Sequence, residues 1–598
     1  MRLGKTALLA FGLTLGYSSF VAGSAQSVNS APAEDFPSTS VVPFPGTAPG
    51  SNVETLHVTT REILVDVMVT DANGNPVRGL KQSDFSIEEN DKPQSIRSFR
   101  EFGSEIPAAE PAAPQLPLGV YTNSQSTPAT GPVNILLLDA LHSDSVSVVR
   151  GLQAAADYVT SMPQGTKLAV FWLSSNGLHL LQGFTADRES LLRAVRTGRT
   201  DFGACLNGQC LTKYLMDRST IDAMNQIAAY VAGIKGRKNL LWITPGMPVD
   251  LMRDGGYAWA GTELLTVKSK GGNSRGGVFG NDVAGPDMSL VHRLMDVYER
   301  FTAEQIAVSP IDPRGVLFNM GMTQLKVEAV AADTGGEAFY NSNDLKSEIA
   351  KAVDDGSRFY TLSYIPPTLK DDGHYHHIKV AVSQPGLHLV YRQGYNAERV
   401  PTLDSPAPGP AMMKASMEGN APVATQILFD VGVWPNYTSI TGFGTPMPAS
   451  AKAKPGKTVP YEIQYGFPAS EIAFTEDADG MLHGSLEFDV VAYDVFRKRV
   501  ALLTQTVKMT LSLREYDTFA AKPYQFTQQI DLPPGQISLH VGILDTVTSK
   551  VGTLEIPVNV VQLTAKQRAA IPPDVAPAPC PPRCPLPSAA PDTAPTTH

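Results

Sequence analysis

Residues 133–144 read VNILLLDALHSD, and this stretch decides the fold of the largest part of the chain. Apart from Asn134, its first six residues are apolar, and polar residues begin to appear at Asp139. A short apolar run of this kind is typical of a β-strand that is buried on both faces of a parallel sheet. The stretch therefore predicts a buried strand with Asp139 at its carboxyl end.

Similar apolar runs recur along the chain, with helical patterns between them. The further strand candidates are TKLAVFWLS, GLHLLQGF, KNLLWITPG, EQIAVSPID and RFYTLSYIPP. The helix candidates span about 145–162, 187–198, 217–234, 287–303, 323–333 and 344–355, with Asp187 and Asp344 where N-caps are expected. This alternation predicts a doubly wound, Rossmann-like α/β domain over residues 132–395, in which helices cover both faces of a parallel sheet. A glycine-rich stretch within 247–286 is predicted to be a surface insertion.

Two β regions flank this central domain. In residues 54–103, Ile63, Val65, Val67 and Val69 alternate with other residues and so share one face of a strand, which predicts a small N-terminal β domain. Residues 421–563 contain seven strand patterns separated by turns, and this spacing favours a β-sandwich-like domain. The chain is therefore expected to be multidomain.

The segments between these domains are rich in proline, alanine, serine and glycine, a composition that is typical of linkers. They are residues 26–53, the Pro/Ala-rich stretch 104–131, and residues 396–420. Residues 564–598 form a proline-rich tail, which is expected to be disordered because it cannot bury a core.

Residues 1–25 have the pattern of a secretory signal peptide. Arg2 and Lys5 precede an apolar stretch, and Gly23 and Ala25 stand at −3 and −1 of a plausible cleavage site. A retained membrane anchor is the alternative, although the apolar stretch is short and broken by glycine and serine. We expect export to the periplasm, the cell envelope or the exterior, with no transmembrane segment in the mature chain.

Charge and cysteine content narrow the function classes further. The 598 residues carry 48 basic and 58 acidic side chains, a formal net charge of −10 without a long run of one sign, which argues against a nucleic-acid partner. The four cysteines form two close pairs, Cys205 with Cys210 and Cys580 with Cys584. For Cys205 and Cys210 a local disulfide is favoured, and free thiols or a metal or redox role remain open.

Several segments, in order, resemble the VWFA-related Acidobacterial domain family, whose members contain a von Willebrand factor A-like (vWA-like) domain. They are REILVDVMVTDANGNPVRGLKQSDFSIEENDKPQSIRSF, NILLLDAL, LLQGFTADRESLLRAV, GRKNLLWITPG, IAVSPIDPRG, AADTGGEAFYNSNDL and YTLSYIPP with IKVAV. Together they span roughly residues 55–395. The resemblance implies an extracytoplasmic vWA-like domain protein and does not imply a known ligand.

The resemblance also implies a metal site at the carboxyl end of the parallel sheet, where Asp-x-Ser-x-Ser, a threonine and a second aspartate hold Mg²⁺ or Mn²⁺. Here Asp139 and Ser143 match, and Thr185 in GFTAD is the candidate threonine. Leu141 replaces one hydroxyl ligand, and Pro245 stands where the second aspartate belongs. The site is therefore expected to be degenerate, and no cofactor is predicted.

Two alternatives remain for this site. His142, Asp144 or Asp187 could replace the missing ligands, which would restore binding of Mg²⁺ or Mn²⁺. Otherwise Asp139 caps the helix behind it and hydrogen-bonds Ser143 or Thr185, so that the domain acts as a scaffold.

No catalytic residues are predicted. Gly272-Asn273-Ser274-Arg275-Gly276 fits a nucleophile-elbow pattern but lies in a glycine-rich loop rather than between a strand and a helix. His374, His376 and His377 lie at a turn, where solvated side chains are favoured over a metal site. Asp477-Ala478-Asp479-Gly480 resembles the opening of a calcium loop, but a hairpin turn is the better interpretation.

These observations favour an exported, non-enzymatic binding or scaffold protein whose partner is a protein or a cell-envelope component. The first alternative is a metal-dependent adhesion protein that uses Asp139, Ser143 and Thr185 to bind a partner's carboxylate. The second is a hydrolase with an unrecognised site, which would require a pocket with convergent titratable groups.

Overall fold

The central part of the fold is a five-stranded sheet built from the apolar runs of the sequence. The computed structural model describes residues 62–103, 116–124, 132–196, 205–206, 209–246, 288–316, 321–366, 375–396, 408–419, 421–436 and 458–563. The predicted signal peptide, the linker 26–53, the glycine-rich insertion, Cys580, Cys584 and the proline-rich tail lie outside these residues. Among the described helices, none is both long enough and apolar enough to cross a membrane.

The strands of the central sheet are β6 (Val133–Asp139), β7 (Leu168–Ser174), β8 (Gly177–Thr185), β11 (Lys238–Ile243) and β12 (Ile306–Ile311). Their order is β12-β11-β6-β7-β8. Neighbours pair in parallel except β8, which runs antiparallel to β7. Every residue of the four parallel strands is buried, which explains why their sequences are nearly continuous apolar runs.

Helices cover both faces of this sheet. They are α1 (Ser145–Ser161), α2 (Arg188–Arg196), α3 (Lys213–Val231), α4 (Met288–Ala303), α5 (Gly321–Thr334) and α6 (Leu345–Ser357), and each overlaps a predicted helix. Alternate residues of β6 serve opposite cores: Ile135 and Leu137 pack with α3, α4 and α5, whereas Leu136 and Leu138 pack with α1, α2 and α6. Asp344 caps α6, as predicted, by accepting the main-chain N–H of Ser347.

A second unit, the N-terminal β unit, combines strands from two distant parts of the chain. The strands are β1 (Ile63–Thr70), β2 (Phe85–Glu89), β3 (Lys92–Gln94), β4 (Ser98–Phe102), β13 (Phe359–Tyr364), β14 (Tyr375–Val382), β15 (His388–Val390) and β16 (Gly394–Asn396). They form two sheets, β15-β1-β13-β4 and β16-β14-β2-β3, around one hydrophobic core.

This arrangement corrects the prediction that β13 is the sixth strand of the parallel sheet. β13 instead pairs antiparallel with β1 and β4. A short apolar run predicts a buried strand but not the sheet to which the strand belongs. The range 54–103 therefore holds only part of the N-terminal β unit, and the range 132–395 supplies the remainder.

Arg237 joins the N-terminal β unit to the central sheet. Its guanidinium is buried 3.9 Å from the Asp66 carboxylate and donates to the Gly335 carbonyl at 2.7 Å and to Asn239 Oδ1 at 3.1 Å. It also lies over the Phe359 ring, 5.4 Å from the ring centre. Burial lowers the pKa of Arg237, and Asp66 opposes this effect. The two units thus share a buried ion pair.

A third unit, the C-terminal β unit, has two antiparallel sheets around one core. One sheet contains β22 (Pro523–Leu532), β18 (Val459–Pro468), β17 (Asp430–Pro435) and β5 (Val120–Thr122). The other contains β19 (Thr475–Glu476), β20 (Met481–Tyr493), β21 (Arg499–Ser512), β23 (Gly535–Asp545) and β24 (Val551–Val560), and α8 (Leu513–Ala520) follows β21.

Two elements fall inside predicted linkers. β5 lies in 104–131, and Asn123 next to it donates to the Ile427 carbonyl at 2.8 Å. α7 (Pro408–Ser416) lies in 396–420, and its methionines Met412 and Met413 are buried against the C-terminal β unit. Both segments look like linkers by composition because proline is frequent, but proline is tolerated in the first turn of a helix.

Candidate functional site

The candidate site lies around Asp139, the last residue of β6. β6 is the middle strand of the central sheet, so Asp139 stands at the carboxyl end of the parallel strands. Ligands of doubly wound folds generally bind at this edge. Asp139 is only 3% exposed, and a carboxylate at such depth requires hydrogen-bond donors or a cation.

Protein donors surround the Asp139 carboxylate. The Trp242 indole Nε1 and the Thr244 hydroxyl donate to Oδ2 at 3.1 and 2.9 Å. The main-chain N–H of His142 donates to Oδ1 at 3.0 Å, and its ring Nδ1 lies 2.8 Å from Oδ2. An ionised carboxylate can only accept, so Nδ1 carries the proton of this bond. These protein donors supply hydrogen bonds to both carboxylate oxygens.

The other ring nitrogen of His142, Nε2, is buried and has no hydrogen-bond partner among the described residues. Because Nδ1 carries the proton, Nε2 of a neutral ring is an acceptor rather than a stranded N–H donor. His142 therefore acts on Asp139 as a donor, and the structure does not place it as a substitute metal ligand alongside other carboxylates.

Ser143 and Leu141 do not face the carboxylate. The Ser143 hydroxyl donates to the main-chain carbonyl of Asp139. Leu141 is 1% exposed and packs in the core beneath α3 and α4. Asp144, not Asp139, caps α1, because its side chain accepts the Ser147 N–H at 2.8 Å. The expectation that Asp139 caps this helix is therefore wrong.

Thr185 lies at the opposite end of the sheet. β8 is antiparallel to β7, with Thr185 opposite Leu168, whereas Asp139 is opposite Leu173, five positions further along β7. At 3.3 Å per residue this separation is roughly 17 Å, too far for one cation to bridge. The Thr185 hydroxyl instead accepts the N–H of Asp187, which in turn accepts N–H groups at the start of α2. The structure therefore does not bring the three predicted ligands together.

Sequence reasoning missed Trp242 and Thr244. Both belong to KNLLWITPG, at the end of β11 and directly after it, and β11 neighbours β6 in parallel register. The Gly246 carbonyl lies 2.9 Å from the Thr244 hydroxyl and is an alternative acceptor for its single proton, and Pro245 between them is half-buried. A hydroxyl residue directly after a strand that neighbours β6 is the signal that could have identified Thr244.

The other clusters noted in the sequence have structural partners where they are described. His376 Nδ1 lies 2.9 Å from the buried Glu89 carboxylate, which also accepts the Tyr364 hydroxyl at 2.6 Å. Burial and Glu89 raise the pKa of Tyr364. Residues 477–480 form the turn of the β19–β20 hairpin, with Asp477 accepting the Met481 N–H at 2.9 Å. His374 and the 272–276 motif lie outside the described residues.

Within the part of the chain that the structure describes, no group of three or more His, Cys, Asp or Glu side chains could hold a metal ion. The backbones of Cys205 and Cys210 pair directly opposite each other in a short antiparallel ladder, β9 (Cys205–Leu206) with β10 (Gln209–Cys210). Opposed positions of such a ladder are about 4.5–5.5 Å apart at Cα, a separation that a disulfide can span. The disulfide between them stays a prediction.

No protein-family model matches the chain, and neither does any curated protein. Among solved structures, the chain is similar to the von Willebrand factor type A protein from Catenulispora acidiphila, at 11% identity and a TM-score of 0.23, over 46% of this chain and 67% of that one.

It is also similar to a point mutant of the PilB minor pilin from Streptococcus sanguinis, at 11% identity and a TM-score of 0.24, over 38% of this chain and 62% of the pilin. The pilus adhesin SpaC from Lactobacillus rhamnosus GG matches at 10% identity and a TM-score of 0.22, over 80% and 73%. The chain thus has a low-scoring structural similarity to a von Willebrand factor type A protein, and membership of the VWFA-related Acidobacterial family stays a prediction.

Proposed function

We propose that the chain is an exported, non-enzymatic binding or scaffold protein that recognises a protein or cell-envelope partner through its vWA-like domain without a bound metal. The observation that carries the proposal is the closed hydrogen-bond shell of Asp139. Trp242, Thr244 and His142 donate hydrogen bonds to the carboxylate. The edge of the sheet is therefore a rigid surface made of protein groups alone.

Exposed apolar side chains at the same edge support binding. Val146 and Val149, in the first turns of α1, are 67% and 64% exposed and share one helix face. Arg150 on the next position donates to the Arg314 carbonyl at 2.6 Å, which ties α1 to the loop after β12. Clustered exposed apolar residues on a rigid surface are typical of interaction sites.

The attachment of the central sheet to both β units supports a scaffold role. Arg237 joins it to the N-terminal β unit, and Thr425 of the C-terminal β unit donates from its main-chain N–H to the Ala229 carbonyl at 2.7 Å. The Thr425 hydroxyl also donates to the Tyr230 carbonyl at 2.9 Å. Such buried contacts hold the binding edge in a fixed orientation.

The test is retention of cell-envelope material from the native host on immobilised full-length chain, with EDTA and with Mg²⁺. We expect equal retention in both buffers and loss of retention with Val146→Ser and Val149→Ser together. Leu513→Ser, at an apolar residue on α8 that is 54% exposed, is the matched control and should retain the material.

Three outcomes would overturn the proposal. Retention that requires Mg²⁺ would support the metal-dependent adhesion protein. Retention unaffected by the double valine change would place the binding surface elsewhere. Turnover of ester, peptide or phosphate substrates by the purified chain would contradict the non-enzymatic assignment.

A further inference from the structure

A pocket of about 460 Å³ opens on the outer face of the C-terminal β unit, far along the chain from the Asp139 site. Its floor is formed by β20, β23 and β24, which are adjacent in one sheet. Its volume is within the range of small-molecule pockets. Neither the proposed vWA-like binding edge nor the predicted metal site involves it.

Strand alternation explains why polar side chains line the floor. In β23, Ile537 and Leu539 point into the core between the two sheets, so Gln536, Ser538 and His540 point to the opposite face. The methionines of α7 cover another part of this face. The pocket occupies the part that α7 leaves uncovered.

The wall of the pocket is the turn between β20 and β21. Asp494 accepts the N–H groups of Phe496 and Lys498, each at 2.9 Å, which fixes this turn. Arg497 adopts a φ of 59°, in the left-handed region. Its guanidinium crosses Gly419 so closely that a Cβ at that position would lie 2.7 Å from Nη1. Gly419 therefore gives Arg497 the space to lie at the pocket rim.

Three side chains on the floor form one connected group. Ser538 donates to Glu555 Oε1 at 2.5 Å, and the His540 Nε2 atom lies 3.3 Å from the Ser538 hydroxyl and 3.6 Å from the same carboxylate oxygen. The His540 side chain is only 4% exposed and contacts the Tyr493 ring edge-on, with the ring centres 5.1 Å apart. The group is thus built into the sheet.

This group lacks the order of a hydrolytic triad. In a triad, serine donates to one nitrogen of histidine and the carboxylate accepts from the other nitrogen. Here Ser538 donates to Glu555, and both residues face the same nitrogen of His540. The serine proton points to Glu555, whose lowered pKa makes it a weak base, so the geometry suits binding rather than acyl transfer.

The pocket lining carries charges of both signs, with two carboxylates and one guanidinium. His540, the Ser538 hydroxyl and Arg497 lower the pKa of Glu555 to about 2, so the carboxylate is ionised near neutral pH. Glu555 and Asp494 oppose an anionic ligand, and Arg497 opposes a cationic one. The Glu555 side chain is 41% exposed, which leaves it accessible as an acceptor.

Hydrogen-bond donors and acceptors therefore lie close together in the lining of the pocket. The amides of Gln536 and Asn559 add both kinds of group to the floor. Phe496 lies in the wall turn between Val495 and Arg497, which line the pocket, and its aromatic side chain is 88% exposed. Sugar rings present the complementary groups: hydroxyls that both donate and accept, and apolar C–H faces that pack on an aromatic ring.

We propose that this pocket of the C-terminal β unit binds a neutral saccharide, with Glu555 accepting sugar hydroxyls and Phe496 stacking on a ring face. The site is separate from the edge of the vWA-like domain. The failure of one proposal would therefore leave the other standing.

The test is binding of the full-length chain to an array of neutral and anionic glycans, followed by titration calorimetry with the neutral oligosaccharide retained most strongly. Glu555→Gln removes the charge that strengthens the hydrogen bonds, and we expect roughly tenfold weaker binding. Phe496→Ala, an exposed change that cannot disturb the core, should weaken binding roughly threefold to tenfold. Gly419→Ala should weaken it by displacing Arg497.

The matched control is Glu476→Gln, an exposed glutamate on β19 of the same sheet, which should bind like the unmodified chain. Retention of no neutral glycan would overturn the proposal. So would equal affinity of the unmodified chain and Phe496→Ala, or a preference for sulfated or phosphorylated glycans.

Discussion

Replacing Asp139 by alanine removes the shared acceptor of three neighbouring side chains at the edge of the central sheet. Thr244 can still donate to the Gly246 carbonyl, but the Trp242 indole N–H and both the main-chain N–H and the ring Nδ1–H of His142 lose their acceptor. A buried donor without an acceptor costs about 1–3 kcal/mol, and the partly buried main-chain group lies at the lower end of that range. We expect the central sheet to lose about 3 kcal/mol of stability.

Hydrogen exchange of peptides from β6 and β11 measures this loss locally, which suits a chain with several units. A loss of about 3 kcal/mol corresponds to exchange that is roughly 100-fold faster. Asp139→Asn keeps one acceptor and should show a smaller effect. Asp157→Ala, an exposed aspartate on α1, is the control and should change stability by less than about 0.5 kcal/mol.

Unchanged or increased stability of Asp139→Ala would point to an empty metal site. Carboxylates of an empty metal site lack donors, so their removal in the absence of metal leaves stability unchanged or raises it. Unchanged or slower exchange in Asp139→Ala would therefore refute the reasoning and revive the metal-dependent interpretation. Slower exchange of the unmodified chain on addition of Mg²⁺ would do the same.

Four further predictions test other parts of the structure. Titration calorimetry with Mn²⁺ should show no tight binding by the unmodified chain or by Leu141→Ser with Pro245→Asp, since the predicted threonine ligand lies at the other end of the sheet; tight binding by the double variant would contradict this placement. Arg237→Met leaves a buried carboxylate without its cation and should cost about 3 kcal/mol, seen as a lower thermal midpoint; an unchanged midpoint would mean that the ion pair contributes nothing. The pKa of Glu555 is lowered from 4.5 to about 2, so its ionised form stabilises the fold above pH 4.5 and this contribution declines as the pH falls towards 2; the difference in thermal midpoint between the unmodified chain and Glu555→Gln should shrink over that window, and a constant difference would count against the shift. If a protease site is inserted just after residue 103 and cleaved, residues 62–103 should still elute with the rest of the chain on native size-exclusion chromatography, because their strands pair with β13 and β14. A separately eluting fragment would show that these residues form an independent domain.

The sequence allows the parallel strands of the central sheet to be predicted because burial on both faces requires continuous apolar runs. It does not indicate which distant strands pair. The pairing of Ile63 with Tyr364 depends on two segments that are about three hundred residues apart, and no local pattern in either segment indicates the other. The N-terminal β unit could therefore be predicted only in part.

The position of Asp139 follows from the sequence, but its partners do not. The placement of Thr185 with Asp139 fails because the chain reverses at Ser175 and Asn176. Asn176-Gly177 is a strong hairpin signal, and it could have shown that β8 returns to the other end of the sheet. Trp242 could not be predicted as a partner for a different reason. An apolar run indicates a buried strand, but it does not show that the indole N–H within it will donate to a residue on the neighbouring strand.

The N-terminal β unit is assembled from two distant segments of the chain, and this affects its folding during synthesis. Asp66 on β1 accepts a hydrogen bond from Thr361 on β13, at a sequence separation of 295 residues. At a synthesis rate of 5–20 residues per second, β1 leaves the ribosome about 15–60 s before its partner exists. During that interval its unpaired edge is open to other chains, whereas the central strands β6 and β7 meet much sooner. The nascent chain should therefore depend on a chaperone that holds its first strands until β13 emerges.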